Sequence, residues 1–106
     1  MANPNPTPKP HQAIEMAMEK SLVSQLHPAA PLEVQRFGCR ALARIANERG
    51  KRRRILQRGG TAAALAIIRR ESDPPPPPLL VEALVVLLNV SSEPFNQART
   101  YYLLAE

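Results

Sequence analysis

The sequence predicts an all-α fold, an α-solenoid of short helices stacked side by side. Three observations carry that expectation. Apolar residues recur at intervals of three and four along most of the chain, the spacing of one helix face. The alternation of apolar and polar residues that marks a half-buried strand is absent, and Val81, Val85 and Val86 are the only hint of one. Residues 41–47 (ALARIAN) also align with residues 83–89 (ALVVLLN), pairing Ala41 with Ala83, Leu42 with Leu84, Ile45 with Leu87 and Asn47 with Asn89 at a spacing of 42. A helical period of about 40 to 47 is that of stacked repeat architectures.

The chain opens on residues 1–11, where Pro4, Pro6, Pro8 and Pro10 stand at alternate positions. Such a composition buries no core and disfavours helix, so a disordered tail is expected. From residue 12 the character changes: Ile14, Met18, Leu22 and Leu26 repeat at four-residue intervals, as in an amphipathic helix that stops near His27 and Pro28. Pro31 stands at a helix start, where its missing N–H is no loss. Val34, Phe37, Gly38, Ala41, Leu42, Ile45 and Ala46 follow at helical spacing up to Asn47. Residues 51–58 (KRRRILQR) read as a short basic helix. Gly59 and Gly60 end it, since glycine adopts the backbone angles of a sharp turn without strain. Thr61 is placed to cap a helix over 62–70 (AAALAIIRR), which is apolar on nearly every face and so expected between neighbours. Pro74, Pro75, Pro76, Pro77 and Pro78 make residues 73–78 a stiff extended spacer, the prolines spanning about 15 Å at roughly 3.1 Å per residue. Helices over 79–90 and 95–106 follow, and the last ends on apolar Leu103 and Leu104.

With 106 residues, 44% of them apolar and 4% aromatic, the chain has the composition of one small domain rather than of a multidomain enzyme. Its longest apolar run, residues 79–90, already contains Glu82 and falls short of the roughly 20 residues that span a bilayer. The first 35 residues contain no Arg and no long apolar core before a small-residue cleavage site. Neither a secretory nor a mitochondrial signal is therefore expected, and cytoplasm or nucleus is the default compartment. The lone Cys39 makes neither an internal disulfide nor a cysteine-based zinc site. The net charge of +5 is unevenly spread: residues 36–70 hold eleven basic residues against Glu48 alone, or +10, and the remainder carries −5. That central field suits an anionic partner, or else simply keeps an aromatic-poor protein in solution.

Residues 34–68 carry a V-Q-x-x-x-x-x-A-L-x-x-I-A run, a short helix ending I-x-x-x-G-G, and Leu65 five residues beyond Gly60. In these features the chain resembles the armadillo repeat, most strongly over 34–68 and more weakly across the rest of 12–106. The resemblance implies about two repeats. Residues 12–26 and 32–47 would be the second and third helices of an incomplete one; 51–58, 62–70 and 79–90 a complete one; and 95–106 the start of another. Solenoids usually need about three repeats to be stable, so the chain is expected either to pair with something, a second copy included, or to be a piece of a longer protein. The family's third helices line a concave groove, which implies a non-enzymatic adaptor or scaffold. Its peptide-gripping Asn position falls on Arg44 and Val86 here, and its Trp position on Arg40 and Glu82, so capture of a basic nuclear-localisation peptide does not carry over.

What replaces that ladder is Arg36, Arg40 and Arg44, spaced by four and so advancing only about 40° per step, on one face opposite Val34, Ala41 and Ile45. Guanidinium forks suit carboxylates, and the expected partner is an acidic extended protein segment; the alternative is a solvated Arg face. Lys51, Arg52, Arg53 and Arg54 fit a short nuclear-localisation signal or a contact with nucleic-acid phosphates, or again a solvated helix face. Aromatics that would stack on bases are missing from this region. The proline run is either a linker or a ligand for a proline-binding module. His11 and His27 have no nucleophile beside them, and Cys39 reads as a small packing residue. No metal-ligand spacing and no glycine pattern for phosphate appears, so catalysis, metal and cofactor are not expected.

Overall fold

A computed structural model describes residues 9–105. It contains six α-helices: α1 (Pro10–Gln25), α2 (Leu32–Ile45), α3 (Arg52–Gln57), α4 (Gly60–Ile68), α5 (Pro77–Ser91) and α6 (Pro94–Ala105). A 3-10 turn at Arg49–Lys51 leads into α3. Helix accounts for 77% of the described residues, among which no strand occurs. Among the described residues no helix is long and apolar enough to cross a membrane.

Proline marks most of the helix starts, because the first turn of a helix has N–H groups to spare. Pro10, Pro77 and Pro94 open α1, α5 and α6, and Pro31 immediately precedes α2. Several boundaries therefore differ from expectation. The helix expected from residue 12 begins at Pro10, where the Lys9 N–H donates to Gln12 Oε1 at 3.2 Å. Of the expected tail over 1–11, residues 1–8 lie outside the described part. The spacer expected over 73–78 is likewise shorter, because Pro77 and Pro78 form the first turn of α5 rather than an extended rod. Thr61 is no cap either: α4 starts at Gly60, two residues before the expected 62, and Thr61 lies inside the helix with a buried hydroxyl that has no partner among the described residues. The turn before α4 does need glycine, since Gly59 has φ +87°, in the left-handed region.

Helix α5 packs between α2 and α4, most extensively against α2. Their shared core includes Leu42, Ile67, Leu79, Ala83, Val86 and Val90, each at most 1% exposed. On the other side α1 covers α2 through a close crossing at Gly38. A Cβ there would sit 2.7 Å from Leu26 Cδ1 and 3.1 Å from the Leu22 carbonyl oxygen. Helix α3 reaches this core through Ile55, which is fully buried. Helix α4 is buried along Ala64, Leu65 and Ile67 but leaves Ala62 and Ala66 in solvent, so its apolar circumference is covered only in part.

The inner face of α2 matches the expected stripe in part: Gly38, Leu42 and Ala46 are buried as expected, but the face is turned towards Cys39 and Ala43. Cys39, Leu42, Ala43 and Ala46 are buried, whereas Val34 and Phe37 are 37% and 56% exposed. Apolar residues cover more than half of this helix's circumference, and the docking of α5 selects the face through Cys39 and Leu42. The 42-residue register nevertheless has a spatial counterpart. Asn89 Nδ2 donates to Asn47 Oδ1 at 3.3 Å and to the Ala43 carbonyl at 2.9 Å, tying α5 to the end of α2.

Candidate binding surface

Most of the basic residues between 36 and 70 are occupied within the molecule, Arg36, Lys51 and Arg54 by acids that the fold brings in from the flanks and the others by carbonyls, an amide or an aromatic ring. Arg36 Nε donates to Glu82 Oε1 at 2.9 Å across the α2–α5 contact, and Arg36 also pairs with Glu33 on its own helix at 3.5 Å. The adjoining Glu82 carboxylate raises the Arg36 pKa above its ordinary value. Of the three arginines expected to face a partner, Arg36 is thus a strut between helices.

The Lys51, Arg52, Arg53 and Arg54 cluster is distributed in the same way. Arg54 Nη2 donates to Glu19 Oε1 at 2.7 Å and Glu15 Oε2 at 3.4 Å, both on α1. Lys51 Nζ pairs with Glu48 at 2.9 Å and Glu15 at 3.4 Å. Arg52 Nε donates to the Ala46 carbonyl at 2.6 Å, closing the turn after α2. The Arg53 guanidinium lies 3.7 Å from the centre of the Phe95 ring on α6, a cation–π contact. Four neighbours in sequence therefore serve three different parts of the fold, and no continuous cationic face results. Arg70 is engaged as well, donating at 3.0 Å to Gln35 Oε1, whose amide nitrogen in turn donates to the Ala30 carbonyl at 2.7 Å.

Glu15 gives this arrangement a pH dependence. The hydrogen bond from Lys51, aided by Arg54, holds its carboxyl below the ordinary value of 4.5 in the folded chain. Its stabilising contribution is present above that value and is lost as pH falls through the depressed folded pKa. Glu15→Gln should therefore flatten the acid limb of a Tm-against-pH curve below about pH 5. Superimposable curves for the two proteins would show that the pair contributes nothing.

Arg40 and Arg44 are different. Both are exposed, and neither forms a salt bridge among the described residues. They sit on successive turns of α2 and border two grooves at once. Towards α1 the floor is apolar, made by Met18, Leu22, Phe37, Ala41 and Ile45. Towards α5 the walls are Asn47, Glu82, Val85 and Asn89. Glu82 is matched by Arg36, so the two arginines retain an uncompensated positive charge. Sequence reasoning placed these arginines on one face, but it did not find the apolar groove beside them. The signal was there in Met18 and Phe37, each assigned to an apolar stripe that would be buried and each 56% exposed.

Of the remaining candidates, Pro74 is exposed, Pro75 and Pro76 are half-buried and the last two prolines are helical, so only a short extended piece is left for a proline-binding module. Burial pushes the Cys39 thiol up to about 12, which keeps it neutral and unreactive inside α2. Among the described residues no three His, Cys, Asp or Glu come together as metal ligands. Comparison with protein-family models, with curated proteins and with solved structures finds no match to this chain.

Proposed function

We propose that the chain is a protein-interaction module of armadillo type that binds an acidic extended segment across α2, with Arg40 and Arg44 gripping its carboxylates. One observation carries this reading: two adjacent, exposed arginines without an acidic partner stand between an apolar groove and a groove lined by two asparagine amides. A segment that alternates acidic and apolar residues would satisfy both at once, its carboxylates meeting guanidinium forks while its apolar side chains leave water. The armadillo assignment is supported by the 42-residue register and the Asn47–Asn89 contact, and by α2 and α5 occupying equivalent places in that register. A nucleic-acid role would rest on Lys51, Arg52, Arg53 and Arg54, and three of those four are already committed to carboxylates or backbone carbonyls within the fold.

The test uses a fluorescent peptide of alternating Glu and Leu, titrated with the protein and followed by anisotropy. Arg40→Glu with Arg44→Glu should weaken binding by about 10- to 100-fold, the loss of one or two charge-assisted hydrogen bonds. Arg49→Glu with Arg58→Glu, an equal change in net charge away from the grooves, should leave it within about threefold, because exposed distant charges are screened. Equal losses in the two pairs would reduce the effect to net charge and overturn the reading. Tighter binding of a single-stranded oligonucleotide, with a steep salt dependence, would favour nucleic acid instead.

A further inference from the structure

The contact between α3 and α6 joins basic and aromatic side chains that lie far apart in the sequence. Along α6, Phe95, Ala98, Arg99 and Tyr102 fall at i, i+3, i+4 and i+7, on one helix face. Along α3, Arg53, Leu56 and Gln57 fall at i, i+3 and i+4. All of these except Arg53 line one groove of about 580 Å³, and the Arg53 guanidinium stacks on the Phe95 ring, 3.7 Å from its centre. Phe95 and Tyr102 are 59% and 67% exposed, and the groove is lined by no acid. Arg53 and Arg99 are exposed too, and neither forms a salt bridge among the described residues.

We propose that this groove binds single-stranded nucleic acid, with bases stacked on Phe95 and Tyr102 and phosphates held by Arg53 and Arg99. The order of groups along α6 selects the ligand class. Ring, guanidinium and ring follow one another on its face, and a single strand alternates planar bases with phosphates in the same way. An acidic protein segment fits less well, because the face of an aromatic ring is negative and repels a carboxylate. Arg53 serves both groups at once. A guanidinium stacked on a ring keeps its N–H donors directed in its own plane, where a phosphate oxygen accepts them. The rest of the Phe95 ring stays open to a base.

Neither Arg40 nor Arg44 lines this groove, so it is a surface separate from the acidic-segment site, and either reading fails independently of the other. Two stacking rings and two phosphate contacts make a small site, so binding is weak, with Kd above about 10 μM. Two phosphate contacts on a single strand also make the salt dependence shallow, with log K falling against log salt at a slope of about −1.4.

Fluorescence anisotropy tests it, with the full chain titrated into a labelled oligothymidylate of about 12 nucleotides and into an abasic strand of equal length. The abasic strand should bind at least about 5-fold more weakly, because it has no base to stack. Tyr102→Ala should weaken oligothymidylate binding by about 5- to 100-fold and leave the salt slope unchanged. Arg99→Gln should instead bring that slope from about −1.4 to about −0.7. Both side chains are exposed, so each variant should keep the helical circular dichroism spectrum. Arg40→Gln with Arg44→Gln should leave oligothymidylate binding within about threefold. Equal binding of the abasic strand overturns the proposal, because charge alone would then account for the affinity. No binding at about 1 mM protein overturns it as well. So does displacement of the oligothymidylate by the Glu–Leu peptide when Tyr102→Ala weakens both ligands equally, which would mean that a protein segment occupies the groove.

Discussion

Arg54→Ala is expected to lower the unfolding free energy by about 3 kcal/mol, the loss seen when one partner of a buried ion pair is removed. The Glu19 side chain is only 2% exposed beneath Arg54, and its second carboxylate oxygen has no partner among the described residues, so the guanidinium is what makes the buried charge tolerable. Within the 5–15 kcal/mol typical of whole domains, that loss displaces Tm by roughly 10 °C or more. Urea denaturation followed by circular dichroism measures it directly. A loss below about 1 kcal/mol, the value of a surface pair, would show that Glu19 is hydrated in solution. Glu19→Leu combined with Arg54→Met should recover most of the stability, because apolar groups of similar volume are at no disadvantage against a buried ion pair.

Leu42→Ala should cost about 3 kcal/mol, from lost transfer energy and the cavity left behind, while Phe37→Ala should cost less than about 1 kcal/mol. The two residues are five apart on α2 and read alike in the sequence, yet Leu42 is fully buried and Phe37 is 56% exposed. Comparable losses for the two substitutions would mean that the α1–α2 groove is closed in solution. The same contrast bears on binding: Phe37→Ala removes part of the apolar floor beside Arg40 and Arg44 without touching the core.

Helices were legible because each is encoded locally. The four-residue recurrence from Ile14 to Leu26 marks α1, Pro31 announces α2, and Gly59 is the one residue that takes the left-handed turn before α4 at no cost. The proline run was misread in part, since a run of prolines looks uniform while only its last two residues gain from entering a first turn. The candidate site was half legible. Arg36, Arg40 and Arg44 do share a helix face, but Arg36 and three of the basic residues from 51 to 54 are engaged by Glu82, Glu15, Glu19, Glu48 and the Ala46 carbonyl, most of them distant in sequence. No periodicity announces a pair 35 or 46 residues apart.

What the sequence by itself determined is the set of helices, the 42-residue register and the excess of positive charge in the middle of the chain. All three follow from short-range rules of backbone conformation and from counting. Only the tertiary structure decided which apolar face of α2 is buried, which arginines are struts and which stand free, and that the aromatic residues of α6 lie beside the basic α3. Those outcomes depend on which helices come together, and a charge or an apolar side chain acquires its role only from the neighbour that packing places beside it.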